Sequence, residues 1–355
     1  MARNSKIEWC DDTWNPITGC SVVSPGCTNC YAMKLAGTRM KNHWSRSGLT
    51  QPSKAGPVWN SEVRLNLDWI DQPLHWRKPR KIFVCAHGDL FHEDVQDEWI
   101  DRIFAIMARC PQHTFQVLTK RADRMREYFR NIGGTSRHDW VMSAIGNQTG
   151  MSRVKHFDWP LPNVHLGVSV EDQTRADERI PLLLDTPAAV RFISAEPLLG
   201  PIYLTKIRGW KSDEHLWTDA TTGRSHFDST HYPTQGAKID QVIVGGESGP
   251  GARPMHPDWA RSLRDQCKVA GVAFYFKQWG EWAPALHDPD EPQVLRQIEE
   301  VGRFNSWDAK VYDTGRQTGI NWRKLGKKAA GRLLDGREWN GMGCQDEPRT
   351  PLHAR

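Results

Sequence analysis

The chain has 355 residues, of which 38% are hydrophobic, and carries 47 Lys or Arg against 42 Asp or Glu, a net charge of +5. This length can bury a sizeable core, no segment reaches the roughly 18 apolar residues of a membrane span, and so weak a charge does not by itself indicate a nucleic-acid partner. The start, MARNSKIEWCDDTWNP, lacks the apolar region of a secretory signal, so we expect a cytoplasmic protein whose eight cysteines stay reduced.

The first predicted strand, Trp14–Thr18, leads into a loop that contains three cysteines, Cys20, Cys27 and Cys30, in the spacing C-x6-C-x2-C. Three thiolates can bind three irons of a [4Fe-4S] cluster and leave the fourth iron open, whereas structural zinc normally has four protein ligands. Two other interpretations stay open. The cysteines could be small buried hydrophobic residues, or they could form a zinc site completed by His43 or Cys10.

The residues around the cysteines are typical of a loop wrapped around a cofactor. Gly19 allows the backbone to bend before the first cysteine, and Pro25 and Gly26 favour a turn. The stretch from Tyr31 to Met40 has helical spacing, which predicts that Cys30 lies at a helix N-terminus, where the helix dipole favours a thiolate.

Short apolar strands then alternate with amphipathic helices. The predicted strands are Ile82–Ala86, Thr114–Thr119, Val164–Ser169, Val190–Ser194, Gln241–Gly245 and Ala273–Lys277, and the predicted helices are Asp97–Ala108, Ala122–Arg130, Asp177–Leu184 and Pro257–Ala270. Continuous apolar runs are typical of parallel strands buried on both faces, and this alternation favours an α/β fold with a complete or partial β/α barrel. We expect the barrel to span residues 1–280, with an insertion at about 206–240 and a C-terminal extension, 281–355, packed on it.

Polar residues follow most of these strands, at the edge where a β/α barrel places its active site. They are Asp89, Ser169, Glu171, Glu196, Glu247 and Lys277. Any one carboxylate could instead cap a helix or form a structural ion pair. Together they predict a polar cup at the carboxyl ends of the strands.

On these residues the chain resembles the radical S-adenosylmethionine (radical SAM) superfamily. It is closely similar to a phage- and prophage-associated three-cysteine family within it. The narrower similarity covers nearly the whole chain and rests on Trp14-Asn-Pro16, the GC…GCxxCYA loop, Ser194-Ala-Glu-Pro-Leu-Leu-Gly200, Val244-Gly-Gly-Glu-Ser-Gly249, Phe276-Lys-Gln-Trp-Gly280 and the late segment Ala329–Trp339. The wider similarity rests on the cysteine loop and the order of strands and helices. Most radical SAM members have C-x3-C-x2-C with an aromatic residue before the third cysteine, whereas here the first gap is six and Asn29 precedes Cys30.

The resemblance implies that Cys20, Cys27 and Cys30 bind a [4Fe-4S] cluster whose open iron takes the amino and carboxylate groups of S-adenosylmethionine. One-electron reduction would then release a 5′-deoxyadenosyl radical, with a flavodoxin or ferredoxin type of protein as the external electron donor.

Further positions are implied for the cofactor and the substrate. Asp89 matches a contact to the methionyl amine, and Ser169 and Glu171 match contacts to the ribose and the methionyl carboxylate. Gly245 and Gly246 resemble the glycine strand that binds adenine. Glu196, Glu247 and Lys277 would face the substrate as candidate catalytic residues, although Lys277 could equally be a buried cation paired with a carboxylate.

The family's phage association favours a nucleotide, a DNA base or a tRNA base as the substrate, and no membrane partner is expected. Two other functions stay open. One is a zinc-stabilised nucleic-acid-binding module without catalysis, and the other is a partner subunit that keeps the cluster without catalysing a reaction. Basic runs at Arg121–Arg130 and Arg323–Arg332 could contact phosphates, although such runs are more often solvated helical faces.

Overall fold

A seven-stranded parallel sheet organises the chain, and its strands lie side by side in the order in which they occur in the sequence. The structure is a computed structural model that describes residues 5, 7–130, 136–149, 158–209, 216–227, 234–285 and 321–342. The strands are β1 (Asp12–Trp14), β2 (Lys81–Val84), β3 (Thr114–Thr119), β4 (Val164–Ser169), β5 (Val190–Ala195), β6 (Gln241–Gly245) and β7 (Ala273–Gln278). Within the described residues β1 and β7 do not pair with each other, so the sheet forms a partial β/α barrel, as predicted.

The helices are α1 (Tyr31–Gly37), α2 (Asp97–Ala108), α3 (Ala122–Tyr128), α4 (Arg137–Thr149), α5 (Gln173–Leu184) and α6 (Pro257–Ala270). Apolar residues of α2 to α6 form the main core with alternate strand residues such as Val117 and Val244, whereas α1 packs in a separate small cluster with Leu49 and Trp59. The intervening strand residues point to the other face, where Phe192, Ile243 and Tyr275 pack around Trp9. Helices α2 to α6 are thus confined to one face, and the other face is left to build a cavity.

Most predicted elements lie where the sequence placed them, and the bounds of β3, β4, β6, α2 and α6 match. The predicted strand Trp14–Thr18 was wrong in its bounds. The sheet strand is Asp12–Trp14, and Ile17–Thr18 pairs instead with Arg64–Leu65. Pro16 lies between the two strands and has no N–H group to donate to a sheet ladder.

The insertion predicted between β5 and β6 contains a small antiparallel sheet of its own. Its strands are Ile207–Arg208, Leu216–Asp219, Arg224–Phe227 and Thr234–Gln235.

Of the C-terminal extension, the structure describes residues 281–285 and 321–342, and Cys344 lies outside that part. Trp282–Ala285 pairs with Asn321–Lys324, and a single turn of helix follows at Lys327–Ala330. The chain then runs along the outer edge of β7, where the Phe276 N–H donates to the Trp339 carbonyl at 3.0 Å. This segment satisfies backbone groups that an edge strand would otherwise leave unpaired. None of the described helices is long and apolar enough to cross a membrane.

Candidate active site

A cavity of about 440 Å³ opens at the carboxyl ends of the strands. The expected site residues that line it are Cys20, Cys27, Cys30, Asp89, Ser169, Glu196, Gly246, Glu247 and Lys277. Trp9, Phe83 and Leu118 contribute an apolar wall. Ser169 and Ser194 are paired neighbours on β4 and β5, and both face the cavity. The structure therefore brings together residues that lie up to 257 positions apart in the sequence.

The cysteine loop folds through short-range hydrogen bonds. A turn of 3-10 helix spans Pro25–Cys27, and the Cys27 N–H donates to the Ser24 carbonyl at 2.9 Å. Cys30 is the N-cap of α1, as predicted from the helical spacing after it. Gly19 has a φ of +95°, and an added Cβ would lie 2.1 Å from the Glu62 carbonyl oxygen, so this position requires glycine.

All three thiols are free. Burial raises the pKa of Cys20 to about 12, and the Asp89 carboxylate adds to the effect. Burial likewise raises the pKa of Cys30. A bound cation would be needed to favour the thiolate forms that ligate metals.

Neither residue proposed to complete a zinc site is placed to do so. Cys10 donates to the Ser5 hydroxyl at 3.5 Å, and the His43 Nδ1 atom lies 2.7 Å from the Ser45 hydroxyl. Within the part of the chain that the structure describes, no three His, Cys, Asp or Glu side chains are placed to hold a single metal ion. In a [4Fe-4S] cluster each thiolate binds a different iron, so the three sulfurs need not converge on one point.

Arg121 places a buried positive charge beside the cysteine loop. Its guanidinium donates to Cys20 Sγ at 3.5 Å, to Asp89 at 3.1 Å and to the Ser21 hydroxyl at 2.5 Å, and its Nε donates to Glu93 at 2.8 Å. Burial lowers the pKa of Arg121, but Asp89, Cys20 and Glu93 together outweigh burial, and the pKa lies above its usual value. Arg121 was not among the predicted site residues, although a charged residue just after a buried strand is a signal for one.

Asp89 holds this arginine and is itself fixed by β3. Its carboxylate accepts hydrogen bonds from the Thr119 hydroxyl at 2.7 Å and from the Lys120 N–H at 3.2 Å. Asp89 is 5% exposed and lines the cavity. Asp89 therefore lies between the cavity and the cysteine loop, and its carboxylate is already bonded to protein donors.

Glu171 lies beneath the cysteine loop and is not one of the residues that line the cavity. Its carboxylate, which is fully buried, accepts from Lys120 at 2.5 Å, from the Ser24 hydroxyl at 2.8 Å and from Arg179 at 3.1 Å. Burial raises the pKa of Glu171, but Lys120 and Arg179 outweigh burial and hold it below its usual range. Glu171 thus ties the loop to β3 and α5, a different role from the cofactor contact expected from sequence.

Gly26 packs directly on Glu171, and we expect Gly26→Ala to destabilise the loop. An added Cβ would lie 2.4 Å from Glu171 Oε1, and that carboxylate cannot move without breaking its ion pairs. Overpacking of this kind costs about 1–3 kcal/mol. Urea unfolding measures the change, with Gly236→Ala as the control because the nearest atom to its added Cβ is 3.6 Å away. Equal stability of the two variants would contradict the packing argument.

Glu247 holds the side of the cysteine loop opposite to Glu171. Its carboxylate accepts from the Asn29 amide at 3.0 Å and from the Arg253 guanidinium at 2.6 Å. Arg253 also donates to the Pro25 carbonyl at 2.9 Å. Burial raises the pKa of Glu247, but the hydrogen bonds from Arg253 outweigh burial and lower it. The cysteine loop is therefore held between two buried carboxylates, one on each side.

Lys277 and Glu196 form an ion pair that faces the cavity. The Lys277 Nζ atom lies 2.7 and 2.8 Å from the two carboxylate oxygens of Glu196, so the paired arrangement considered for Lys277 is the one found. Gln278 donates to Glu196 at 3.4 Å, while its Oε1 atom is buried and has no partner among the described residues. Gln278 is also one of the residues that line the cavity.

Packing restricts both glycines that were expected to bind adenine, and it requires glycine at Gly246. An added Cβ at Gly245 would lie 3.2 Å from Glu196 Cδ, and one at Gly246 would lie 1.9 Å from the Trp279 carbonyl oxygen. Gly246 lines the cavity, and Gly245 does not.

Comparison with known proteins gives one match. A family model described as "Protein of unknown function (DUF5131)" matches residues 4–343. No curated protein and no solved structure matches the chain.

Proposed function

The chain belongs to the DUF5131 family, and we propose that it is a radical SAM enzyme. In this proposal Cys20, Cys27 and Cys30 hold a [4Fe-4S] cluster. The observation that carries it is the placement of three free thiols from one loop on the wall of a cavity at the carboxyl edge of a parallel β/α sheet. When bound, the cluster would supply the electron that cleaves S-adenosylmethionine and so generate a 5′-deoxyadenosyl radical.

The three cysteine sulfurs fit a [4Fe-4S] cluster better than they fit a structural zinc site. Three thiols are available, and within the described residues they have no fourth protein ligand with which to enclose a single ion. Arg121 donates to the Cys20 sulfur, and this hydrogen bond would help to stabilise a thiolate ligand there. The missing fourth ligand supports the cluster over the zinc-stabilised module.

In this proposal the other residues that line the cavity have separate roles. Asp89 and Arg121 position the loop on one side, while Ser169 and Ser194 offer hydroxyl groups to the polar part of a cofactor. The apolar wall of Trp9, Phe83 and Leu118 can pack on a flat ring and exclude water.

The pair Lys277–Glu196 and Gln278 lie on the β5 and β7 side of the cavity, so we assign them to substrate recognition. The substrate is a nucleotide or a nucleic-acid base, and the electron donor is a small flavodoxin or ferredoxin type of protein.

Metal content tests the proposal first. Protein purified without oxygen is expected to contain about four irons and matching sulfide per chain, as one cubane cluster requires. After reduction, its electron paramagnetic resonance signal is expected to change when S-adenosylmethionine is added, and 5′-deoxyadenosine is expected as a product.

Two results would contradict the proposal. One zinc per chain and no iron would replace it with the zinc-stabilised binding module. A fully loaded cluster that does not change the spectrum with S-adenosylmethionine and yields no 5′-deoxyadenosine would favour the non-catalytic partner subunit.

A further inference from the structure

One short segment of this chain is strongly basic. Residues 31–65 contain six Lys or Arg and one Glu, a net charge of +5. A basic region of this kind can bind a polyanion.

The basic segment is a folded unit that covers the cysteine loop. It comprises α1, the hairpin formed by Thr50–Ser53 and Gly56–Trp59, and the connections on either side. Its small core contains Ala32, Met33, Ala36, Leu49 and Trp59, and this core packs against Cys20 and Cys30. Tyr31, the first residue of α1, lines the cavity and is 51% exposed, so the surface of this unit continues into the cavity mouth.

Three cations of the unit are available to an external anion. Arg39, Lys41 and Lys54 are exposed, and none of them has a carboxylate partner among the residues that the structure describes. Arg64 instead donates to the Trp44 and Ser47 carbonyls and supports the loop before the hairpin.

The basic runs noticed in the sequence are different, because members of each are already paired. Arg124 pairs with Asp97 and Arg126 with Asp185. In the later run, Lys327 pairs with Glu8 at 3.0 Å. These three cations support the fold, whereas Lys328 of the later run is exposed.

An aromatic surface accompanies the unpaired cations. Trp44 is 47% exposed, and its ring packs on His43 at 5.6 Å and on Trp69 at 4.8 Å between centroids. The Arg46 guanidinium lies 5.6 Å over the Trp69 ring and holds this cluster against the unit. An exposed indole that is held in place in this way is a surface on which single-stranded nucleic acid can stack a base.

We propose that the unit formed by residues 31–65 binds single-stranded nucleic acid, with Arg39, Lys41 and Lys54 on the phosphates and Trp44 stacked on a base. The strand would thus be held beside the cavity mouth at Tyr31. This inference rests on the proposed function, because it names single-stranded nucleic acid as the substrate class of the proposed enzyme. The binding itself requires no cluster.

Fluorescence anisotropy with a labelled single-stranded oligonucleotide of mixed sequence tests this with the full chain, in DNA and RNA forms. Wild type is expected to bind with an affinity that falls as salt rises. The variant R39E/K41E/K54E is expected to bind at least about tenfold more weakly, with a salt slope smaller by about 2, since each lost single-strand phosphate contact removes about 0.7. Trp44→Ala is expected to weaken binding about tenfold without changing the slope, because stacking releases no counterions.

The matched control is K206E/K238E/K268E, which changes the net charge equally at three exposed lysines outside the unit. We expect this control to retain wild-type affinity within about twofold at physiological salt, where exposed charges are screened within about 8 Å. The proposal is overturned if the control binds as weakly as R39E/K41E/K54E, if Trp44→Ala has no effect, or if acidic lipid vesicles bind and oligonucleotides do not.

The same assay on Cys27→Ala protein separates this inference from the proposed function. Unchanged binding by a variant without iron is expected. If wild type contains no iron yet binds the oligonucleotide through residues 31–65, the radical function fails and this inference stands.

Discussion

Replacing Cys27 with alanine is expected to reduce the iron content from about four atoms per chain to nearly none. Cys27 is buried in the middle of the cysteine loop, with its sulfur 3.9 Å from the Ser24 hydroxyl. The lining contains one further described thiol, Cys85, but that residue follows β2 and is not part of the cysteine loop. Iron and sulfide analysis after anaerobic reconstitution measures the loss. Formation of 5′-deoxyadenosine is expected to fall below detection in parallel.

Cys267→Ala is the matched control, since it removes another buried thiol without touching the cavity. Cys267 lies on α6, is fully buried, and its burial raises the pKa to about 12. This variant is expected to retain its iron and to lose only the small stability that a missing core atom costs. Retention of full iron content by Cys27→Ala with an intact fold would remove Cys27 from the proposed ligand set.

Glu171→Gln is expected to have the largest effect on stability. The substitution leaves Lys120 and Arg179 without their shared anion, and removal of one partner from a buried ion pair costs about 3–5 kcal/mol. Because Glu171 also accepts from Ser24, the cysteine loop would lose an attachment to α5 and β3. Chemical denaturation in the metal-free state measures the change in the free energy of unfolding without a contribution from bound iron.

The control for Glu171 is Glu178→Gln, the same chemical change in an exposed pair with Arg175 on α5. Surface pairs of this kind contribute about 0–1 kcal/mol. If the two variants were equally stable, Glu171 would not support the loop as described.

The pH dependence of stability provides a second readout for Glu171. Its folded pKa lies below the usual value of 4.5, so its contribution is fully present above that pH and is lost as the pH falls through the folded pKa. Wild type is therefore expected to lose stability toward acid more steeply than Glu171→Gln does. Parallel stability profiles below pH 4.5 would contradict this assignment.

The two carboxylates that hold the cysteine loop have a functional consequence. Glu171 acts through Ser24, and Glu247 acts through Asn29 and Arg253, so both sides of the loop are fixed to the carboxyl edge of the sheet. A site whose supporting residues are fixed in this way keeps its ligands in place before a cofactor arrives.

Sequence patterns alone were enough to predict the strands of the sheet and the place of the cysteine loop after the first strand. Strands such as Thr114–Thr119 and Gln241–Gly245 are continuous apolar runs, and the buried face of Pro257–Ala270 repeats with helical period, so short-range pattern was enough to locate them. Parallel strands joined by helices place their carboxyl ends at one edge, which is why Asp89, Ser169 and Lys277 could be expected to meet there.

The partners of each polar residue could not be predicted from sequence patterns, because they depend on the tertiary structure. Glu171 and Glu247 were expected at the cofactor or the substrate, yet their carboxylates bond to cations and to the cysteine loop. Arg121 was passed over, although it contacts Cys20 across 101 positions of sequence. The pattern of a strand predicts the edge of the sheet at which a side chain lies. The charged partner of that side chain, however, comes from residues far away in the sequence, and burial strengthens the interaction between the two.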